Sequence, residues 1–331
     1  MAEPIRWGIL GTGKIARALA TALQDVPDAV LAGVASRSLE KAEAFAADFH
    51  ASTAYGSYEE LAAAGDIDLV YIATPHPQHA ANALLALNAG KGVLCEKPFT
   101  MNRREAAHVV DLARSRKLFL MEAMWTRFMP ALAEVKRLIA AGEIGSVHQV
   151  VADFGFTASF GPEHRVFNPE LGGGALPDIG VYPTIATRFV TGKEPVRVQA
   201  KVERDPDFGT DIYASVKAAF ETFEMSFYIS TQMASRQLMV FHGREGTIEV
   251  KSPFNADRWG AEEIELTNQK HNVSQIFRFP DSRQYRRQAE AFAKAAKGEA
   301  AEIVTLENSL LNQRFIDAIY RAGETDGWET V

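Results

Sequence analysis

The sequence predicts an α/β protein. An N-terminal doubly wound parallel (Rossmann) sheet is followed by a C-terminal α+β domain with an open, mostly antiparallel sheet. Short apolar runs alternate with helical patterns through the first third of the chain, and strands with short connections prevail after Glu122. The 331 residues exceed the length at which one hydrophobic core usually keeps growing. We therefore expect two domains, at residues 1–122 and 123–331.

The first domain is expected to contain five strands separated by crossover helices. In the first helix Ile15, Leu19 and Leu23 recur every four residues, which is the spacing of one helix face. Ser57 and Glu60 have the spacing of a helix N-terminal capping pair, as do residues 102 and 105. The expected strands span residues 5–10, 30–36, 68–73, 92–95 and 118–122.

The second domain is expected to begin with a helix near residues 130–141 and a strand at 147–154, followed by a long loop that ends in three glycines. Five further strands are joined by short connections, which favours antiparallel pairing. They span residues 196–203, 212–220, 225–230, 238–242 and 247–250. Helices at 285–296 and 306–322 are expected to cover one face of this sheet or to pack back on the first domain.

The side chains of the second sheet bear on assembly. Along residues 212–220 neither alternating set is cleanly polar. An antiparallel sheet with one face in water alternates more sharply. We therefore expect helices or a second subunit to cover both faces, and we predict a homo-oligomer that forms through this sheet.

Composition excludes several classes of protein. Hydrophobic residues make up 47% and charged residues 23%, and no apolar run is long enough to cross a membrane. The net charge of -7 argues against a nucleic-acid binder, which needs a basic face. The single cysteine, Cys95, excludes an internal disulfide and is expected to be buried. The N-terminus leads directly into an apolar strand without a signal peptide, so we expect a cytoplasmic protein.

A glycine motif directly follows the first predicted strand and opens the first helix. It reads Gly11-Thr12-Gly13-Lys14-Ile15-Ala16 and fits a dinucleotide-binding fingerprint. Gly11 permits a tight turn, Gly13 admits a pyrophosphate, and Ala16 allows close helix packing. The alternative is a plain glycine turn, which the position between strand and helix disfavours.

The end of the second predicted strand distinguishes NAD from NADP. A carboxylate about twenty residues beyond the fingerprint binds the adenosine ribose of NAD. This chain has Ser36 and Arg37 there and no carboxylate at the expected position. Ser36 can donate to a 2'-phosphate, and Arg37 can pair with it and stack on adenine. The sequence thus favours NADP over NAD, unless Arg37 is a solvated loop residue; Ser38 is expected to cap the next helix.

The third predicted strand ends in a segment that contains two histidines. Ligands of doubly wound folds bind outside the carboxyl ends of the strands, so Thr74, Pro75, His76 and His79 are expected to line the cofactor cleft. A metal site is not expected, because the histidines lack a third ligand at helical or hairpin spacing. His79 is instead expected on a helix near the nicotinamide ribose.

Glu96, Lys97 and Pro98 follow the fourth predicted strand. A lysine held between a strand end and a proline lacks the freedom of an ordinary surface lysine. A cation beside a nicotinamide ring can polarise a carbonyl or an alcohol, which makes Lys97 a candidate catalytic residue. The alternative is a solvated turn lysine.

A second candidate cluster follows the three glycines, Gly172 to Gly174. If a helix begins near Pro177, Asp178 and Tyr182 lie four residues apart on one face. Pro183 would remove a hydrogen bond there, so an irregular first turn is expected. Tyr182 can take the hydroxyl proton as hydride leaves, since a Lys97 ammonium favours its phenolate and Asp178 can orient either group. Alternatively, Tyr182 is a half-buried core residue and Asp178 a cap.

In their order along the chain these motifs resemble the glucose-fructose oxidoreductase and inositol dehydrogenase family, Gfo/Idh/MocA. Residues 121–128 and 172–183 are most similar to the dimeric dihydrodiol dehydrogenases and the NADP-dependent D-xylose dehydrogenases. The resemblance implies that Lys97 and Tyr182 carry polarisation and proton transfer, that Asp178 supports them, and that Glu96 lies near the cofactor. It also implies that the Lys97-Pro98 peptide bond is often cis.

The resemblance also places Trp125, Arg127 and Phe154 at the border of the substrate pocket, with packing at the domain interface as the alternative. Many members of the family have His where this chain has Tyr182, so the pH behaviour of the sugar dehydrogenases in general does not transfer.

These patterns predict an NADP-binding domain at residues 1–122 and a substrate and oligomerisation domain at 123–331. The expected reaction transfers hydride between nicotinamide and a CH-OH or carbonyl group of a sugar, polyol or trans-dihydrodiol. The main alternative is a catalytically inactive NADP-binding sensor or regulatory protein, which would not need Lys97 with Tyr182. A scaffold subunit without an open cleft is a third possibility.

Overall fold

The computed structural model describes residues 4–159, 161–254, 262–281, 283–325 and 327–331. The chain divides into two compact units. The first consists of Met1–Trp125 and Arg283–Leu310, and the second of Thr126–Ser282 and Leu311–Val331. Within the described ranges, every helix is too short or too polar to cross a membrane.

A six-stranded parallel sheet forms the centre of the first unit, as the sequence predicts. Its order is β3-β2-β1-β4-β5-β6, so the chain moves outward from β1 on one side and then returns to β4 on the other. This reversal places a topological switch point beside the carboxyl end of β1, where doubly wound folds bind their ligands. The strands are β1 Ile5–Leu10, β2 Ala29–Ala35, β3 Thr53–Tyr55, β4 Leu69–Ile72, β5 Gly92–Glu96 and β6 Leu120–Ala123.

Two helices of this unit begin where the predicted capping residues place them. Ser57 accepts a hydrogen bond from the Glu60 amide at 3.2 Å, and Asn102 accepts one from the Glu105 amide at 3.0 Å. Such side chains satisfy amide groups that have no partner within the helix. The helices are α1 Lys14–Leu23, α2 Leu39–Phe49, α3 Tyr58–Ala63, α4 His79–Asn88, α5 Arg103–Arg116 and, much later in the chain, α8 Gln284–Ala296.

Helix α8 packs within the first unit, although almost 160 residues separate it from β6. The ring of Phe292 lies 5.4 Å from that of Trp7 and 4.9 Å from that of Phe119. Trp7 and Phe292 are completely buried. Burial of these aromatic surfaces therefore accounts for the position of α8.

A mixed, nine-stranded sheet forms the second unit, in the order β14-β13-β12-β11-β7-β10-β9-β8-β15. Strands β7 and β10 are parallel and the other neighbours are antiparallel, in agreement with the predicted, mostly antiparallel sheet. Helices α6 Pro130–Ala140 and α7 Val181–Thr191 belong to this unit, and α9 Leu306–Ala322 continues into it. The strands are β7 Val147–Gly155, β8 Pro195–Arg204, β9 Asp211–Phe220, β10 Glu224–Ser230, β11 Leu238–Gly243, β12 Gly246–Lys251, β13 Glu262–Asn268, β14 Val273–Phe279 and β15 Glu329–Thr330.

Sequence patterns missed four of these strands. β3 and β15 have three and two residues, too few to establish an alternating pattern. β13 alternates clearly between buried and half-buried residues, whereas β14 is an exposed edge strand, so burial gives it no periodicity. The antiparallel pairing of β13 with β14 extends the sheet beyond the predicted five late strands.

Alternation in the central strands separates two faces of the large sheet. Ala152 and Phe227 are paired across β7 and β10 and are buried, while Val151 is 40% exposed. Phe154, on the same face as Ala152, contacts the ring of Tyr182 in α7. The buried face thus carries α7, and the face of Val151 points away from it.

Candidate active site

The glycine motif forms the connection between β1 and α1. Gly11 has φ of +101°, and a Cβ there would approach the carbonyl oxygen of Ala73 to 2.7 Å, so glycine is required. The N-cap residue Gly13 offers no side-chain cap, and the first turn of α1 contains no acidic residue. A Cβ on Gly13 would meet nothing within 4 Å. A helix N-terminus without a side-chain cap and without an acidic residue in its first turn fits an anionic pyrophosphate.

Ser36 and Arg37 lie directly after β2, where the sequence places a choice of cofactor. Ser36 is buried, and its hydroxyl oxygen accepts a hydrogen bond from the Ser38 amide at 3.4 Å. Arg37 is exposed. Burial raises the pKa of Tyr58, and the Arg37 charge opposes that rise. Ser38 caps α2 by accepting from the Lys41 amide, as predicted.

His79 joins the end of β4 to the segment that carries Lys97. Its Nδ1 lies 2.8 Å from the Pro98 carbonyl oxygen and its Nε2 lies 2.9 Å from the Thr74 carbonyl oxygen. Asn82 donates to the Thr74 hydroxyl at 3.0 Å. His79 is completely buried, and its two ring nitrogens connect the Thr74 and Pro98 carbonyl groups. The expected position of His79 near the nicotinamide ribose stays a prediction.

The protonation of His79 follows from competing influences. Burial, the largest of them, lowers its pKa, the two carbonyl contacts oppose this, and the Lys97 charge lowers the pKa further. A neutral imidazole can donate from only one of its two nitrogens. The net effect is a lowered pKa, which favours the neutral form.

Glu96 fixes the backbone at Lys97. Its carboxylate accepts a hydrogen bond from the Tyr71 hydroxyl at 2.5 Å and another from the Lys97 amide at 3.1 Å. Glu96 and Tyr71 are buried, and burial followed by the Glu96 charge raises the pKa of Tyr71 well above its ordinary value. The Lys97-Pro98 peptide bond is cis, as the family resemblance implied. Cys95 is buried as expected, and burial raises the pKa of its thiol.

The predicted irregular turn before α7 is a π-helical turn, Leu176–Gly180. Asp178 lies in this turn, and Tyr182 is the second residue of α7. Pro183 follows this turn within a continuous run of helical residues, where its missing amide hydrogen removes an intrahelical bond, as predicted. The carboxyl and phenol groups therefore lie about one turn apart, in a segment where the i→i+5 bonding of a π-helix replaces the expected i→i+4 pattern.

Asp178 pairs with Arg165, a residue that sequence patterns did not identify. Nη1 of Arg165 lies 2.9 Å from Oδ1 of Asp178. The Asp178 side chain is 7% exposed and that of Arg165 is 45% exposed, so a buried carboxylate is paired with a guanidinium that is partly in solvent. Burial, followed by the Arg165 charge, lowers the pKa of the neighbouring His164. Arg165 lies in the long loop after β7, which has no periodicity that could have revealed it.

Tyr182 is packed among aromatic rings. Its ring centroid lies 5.8 Å from that of Phe154 and 6.0 Å from that of Phe254, and the latter two rings are 5.6 Å apart. All three side chains are nearly buried. Phe154 was predicted at the substrate pocket, whereas Phe254 was not, because it lies far along the chain. Ring packing restricts where the Tyr182 hydroxyl can point.

The other predicted pocket residues have separate surroundings. Trp125 begins a 3₁₀ turn at the end of the first unit and is 4% exposed. The guanidinium carbon of Arg127 lies 3.7 Å from the ring centroid of Phe189 in α7, a cation–π contact. This contact lies within the second unit, and the role of Arg127 towards substrate stays a prediction. Among the described residues, no His, Cys, Asp and Glu cluster could hold a metal ion.

A parallel, doubly wound sheet with a glycine turn at its switch point, followed by a large mixed sheet, fits a two-unit dinucleotide-binding protein. Residues 5–124 match the GFO/IDH/MocA model described as an oxidoreductase family with an NAD-binding Rossmann fold. Residues 132–249 match the GFO/IDH/MocA C-terminal domain. The chain belongs to the Gfo/Idh/MocA oxidoreductase family.

Three relatives from different organisms illustrate the similarity to known proteins. An uncharacterised oxidoreductase of Rhizobium meliloti is 34% identical over 99% of both chains. A trans-1,2-dihydrobenzene-1,2-diol dehydrogenase of Danio rerio is 40% identical over 74% of each chain. A D-xylose 1-dehydrogenase (NADP(+)) of Hypocrea jecorina is 44% identical over 54% of this chain and 51% of the relative.

Among solved structures, a 3-ketoreductase from Actinomadura kijaniata in complex with NADP and TDP-benzene is similar, with a TM-score of 0.89 and 27% identity. The match covers 97% of this chain and 98% of the ketoreductase. Both predicted architectures, the parallel sheet and the mostly antiparallel sheet, and the predicted family are thus confirmed.

Proposed function

We propose that this protein is an NADP-dependent dehydrogenase or reductase that acts on a CH-OH or carbonyl group of a sugar, polyol or trans-dihydrodiol. The observation that carries the proposal is Tyr182, a nearly buried phenol held by two aromatic rings one helical turn after Asp178. The named activities of the relatives, on D-xylose and on a dihydrodiol, support the same substrate classes.

In the proposed reaction Tyr182 exchanges a proton with the substrate oxygen while hydride passes between substrate and nicotinamide. The dinucleotide supplies the hydride acceptor or donor. Lys97 is proposed to act in the same step, favouring the phenolate of Tyr182 and polarising the substrate oxygen. The hydrogen bond from the Lys97 backbone amide to the Glu96 carboxylate supports this role, because it fixes the backbone from which the ammonium group extends.

Asp178 is proposed to orient the proton-handling groups. A nearly buried carboxylate needs a compensating charge, and Arg165 provides it at 2.9 Å. Phe154 and Phe254 are proposed to border the reacting carbon, and Trp125 and Arg127 to contribute to the pocket. Aromatic rings suit both the CH faces of a sugar and the ring of a dihydrodiol.

NADP is proposed over NAD because the end of β2 presents a hydroxyl and a guanidinium rather than a carboxylate. Ser36 and Arg37 are proposed to bind the 2'-phosphate. The rest of the dinucleotide is proposed to be surrounded by Gly11 to Ile15, Thr74 to His76, His79, Glu96 and Lys97. The relative named as an NADP(+) enzyme and the ketoreductase in complex with NADP support this preference.

A turnover screen tests the proposed function. Aldoses, polyols and dihydrodiols, with their carbonyl counterparts, would be assayed with NADP(H) and NAD(H) by absorbance of the reduced cofactor. We expect turnover with a preference for NADP. Arg37→Ala should weaken NADP binding by about tenfold or more, as for loss of a charge-assisted hydrogen bond, and leave NAD binding unchanged.

Two results would contradict the proposal in different ways. Tight NADP binding without turnover across the panel would favour the inactive sensor. A wild-type preference for NAD, or an equal effect of Arg37→Ala on both dinucleotides, would refute the roles of Ser36 and Arg37. Lys41→Ala is the matched control, since it removes an exposed cation four residues after Arg37 to which this proposal assigns no contact with the phosphate.

We also propose that a second copy of the chain covers the face of the large sheet that carries Val151. A shallow groove of about 570 Å³ lies on this face and is lined in part by Lys201, Lys217 and Tyr228. Val151→Arg should convert a dimer to a monomer in light scattering. The equally exposed Val30 provides the control, Val30→Arg, which should leave the mass unchanged. The cytoplasmic location stays a prediction, to be tested by cell fractionation.

A further inference from the structure

A buried carboxylate contacts the π-helical turn that carries Asp178. Asp211, the first residue of β9, is 2% exposed. Its Oδ2 accepts a hydrogen bond from the backbone amide of Leu176 at 2.6 Å, and its Oδ1 accepts one from the Tyr320 hydroxyl at 2.7 Å. Leu176 is the first residue of the π turn, so Asp211 satisfies an amide that the helix itself cannot.

The chain before the π turn is shaped to admit this carboxylate. Gly174 has φ of +136°, and any Cβ at this position would collide with Oδ1 of Asp211. The Gly174 amide donates to the Val166 carbonyl oxygen at 2.9 Å, which ties the glycine to the loop that carries Arg165. Asp211 therefore touches the point where the Arg165 loop and the Asp178 turn meet.

Hydrogen bonds offset part of the cost of burying the Asp211 carboxylate. Burial, the largest influence, raises the pKa of Asp211, while the Leu176 amide and the Tyr320 hydroxyl lower it by stabilising the carboxylate. A carboxylate at the beginning of a helix also interacts favourably with the helix dipole. Tyr320, in α9, is itself nearly buried, and its pKa is raised well above the ordinary value by burial and by Asp211. The two residues form a hydrogen-bonded pair, and the Arg204 guanidinium lies 5.7 Å from the Tyr320 ring centroid.

We propose that Asp211 and Tyr320 are positioning residues for the reaction, because they fix the start of the π turn and thereby the placement of Asp178 and Tyr182. The inference rests on the proposed function of those two residues. Neither Asp211 nor Tyr320 is assigned contact with substrate or cofactor. Their effect is to set the position from which the carboxylate and the phenol act, and misplacement by about 1 Å can cost about a hundredfold in rate.

Two substitutions of different severity test the proposal. Asp211→Asn keeps the size of the side chain but leaves a single acceptor for two donors, and Tyr320→Phe removes one donor and keeps the ring. We expect kcat to fall about ten- to hundredfold in Asp211→Asn and less in Tyr320→Phe, with the KM for NADP unchanged. Tyr213→Phe, which removes a hydroxyl from a half-buried tyrosine of the same strand, is the matched control and should keep wild-type kcat.

A second measurement does not depend on turnover. Amide hydrogen exchange in residues 174–182 should accelerate in Asp211→Asn, with exchange in β1 to β6 unchanged. The wild-type enzyme could show no turnover, in which case the proposed function fails. Accelerated exchange confined to this segment would still support the proposal that Asp211 fixes the start of the π turn. Exchange in this segment of Asp211→Asn at the wild-type rate would overturn that proposal, whatever the activity.

Two further outcomes also decide the question. Wild-type kcat in both variants, despite faster local exchange, would overturn the positioning role. Faster exchange throughout the second unit in Tyr320→Phe, the milder variant, would also overturn the positioning role. It would show that Asp211 and Tyr320 stabilise the whole unit rather than the π turn. Reduced kcat with unchanged cofactor KM and local exchange supports the proposal.

Discussion

Tyr182→Phe separates the chemistry of the phenol from the packing of its ring. The ring lies 5.8 Å from Phe154 and 6.0 Å from Phe254, and phenylalanine preserves both contacts. Only the hydroxyl is lost, so the free energy of unfolding should change by at most about 1.5 kcal/mol, the net value of a hydrogen bond. A positioned proton-transfer group contributes about 10²- to 10⁴-fold to rate, so the activation free energy should rise by about 3 to 5 kcal/mol.

The assay compares kcat with the best substrate from the screen, the dissociation constant for NADP by fluorescence, and the thermal unfolding midpoint. Tyr182→Phe should lower kcat by at least a hundredfold and leave the other two near wild type. Tyr213→Phe controls for loss of a tyrosine hydroxyl elsewhere in the second unit.

A kcat for Tyr182→Phe within about tenfold of wild type would refute proton transfer by Tyr182, since it lies below the range for a general acid or base. A large fall in kcat that accompanies a collapse of thermal stability would refute the separation of packing from chemistry. The aromatic contacts predict neither result.

Three further predictions concern other parts of the molecule. Lys97→Met should lower kcat at least a hundredfold with NADP binding retained, because the backbone amide of residue 97 still donates its hydrogen bond to the Glu96 carboxylate. Near-normal turnover would exclude Lys97 from the chemistry. Phe254→Ala should lower the free energy of unfolding by about 3 to 5 kcal/mol in denaturant titrations, since it empties a buried site, and a loss below about 1 kcal/mol would show that the ring is loosely packed. Burial holds the folded pKa of His79 below its ordinary value of about 6.5, so the unfolded chain takes up the proton first and stability should fall as pH drops below about 6.5. His79→Gln should reduce that pH dependence of the melting temperature, and an unchanged profile would contradict the assignment of a neutral His79.

Local sequence signals sufficed for most of the first unit. Each of its five predicted strands is present, and the capping residues Ser38, Ser57 and Asn102 make the bonds that their spacing predicts. Such features depend on residues a few positions apart. β3 escaped notice because three half-buried residues carry too little periodicity.

The candidate site was less accessible to sequence patterns. The spacing of Asp178 and Tyr182 indicated one helix face, and Pro183 indicated an irregular turn, but the partners of these residues come from elsewhere in the chain. Arg165 pairs with Asp178 across 13 positions, and Phe254 reaches Tyr182 from after β12. No short-range pattern encodes such pairs, because they form only when the strands and loops have been assembled.

By itself, the sequence determined the order of strands and helices, the glycine turn, the place of Lys97 after β5, and the family. These follow from side-chain periodicity and from backbone preferences of single residues, which act over a few positions. Only the tertiary structure decided that His79 joins Thr74 to Pro98, that Glu96 holds the Lys97 amide, and that Asp211 caps the π turn. The physical reason is that buried polar groups must find hydrogen-bond partners, and sheet topology determines which distant residues come within reach.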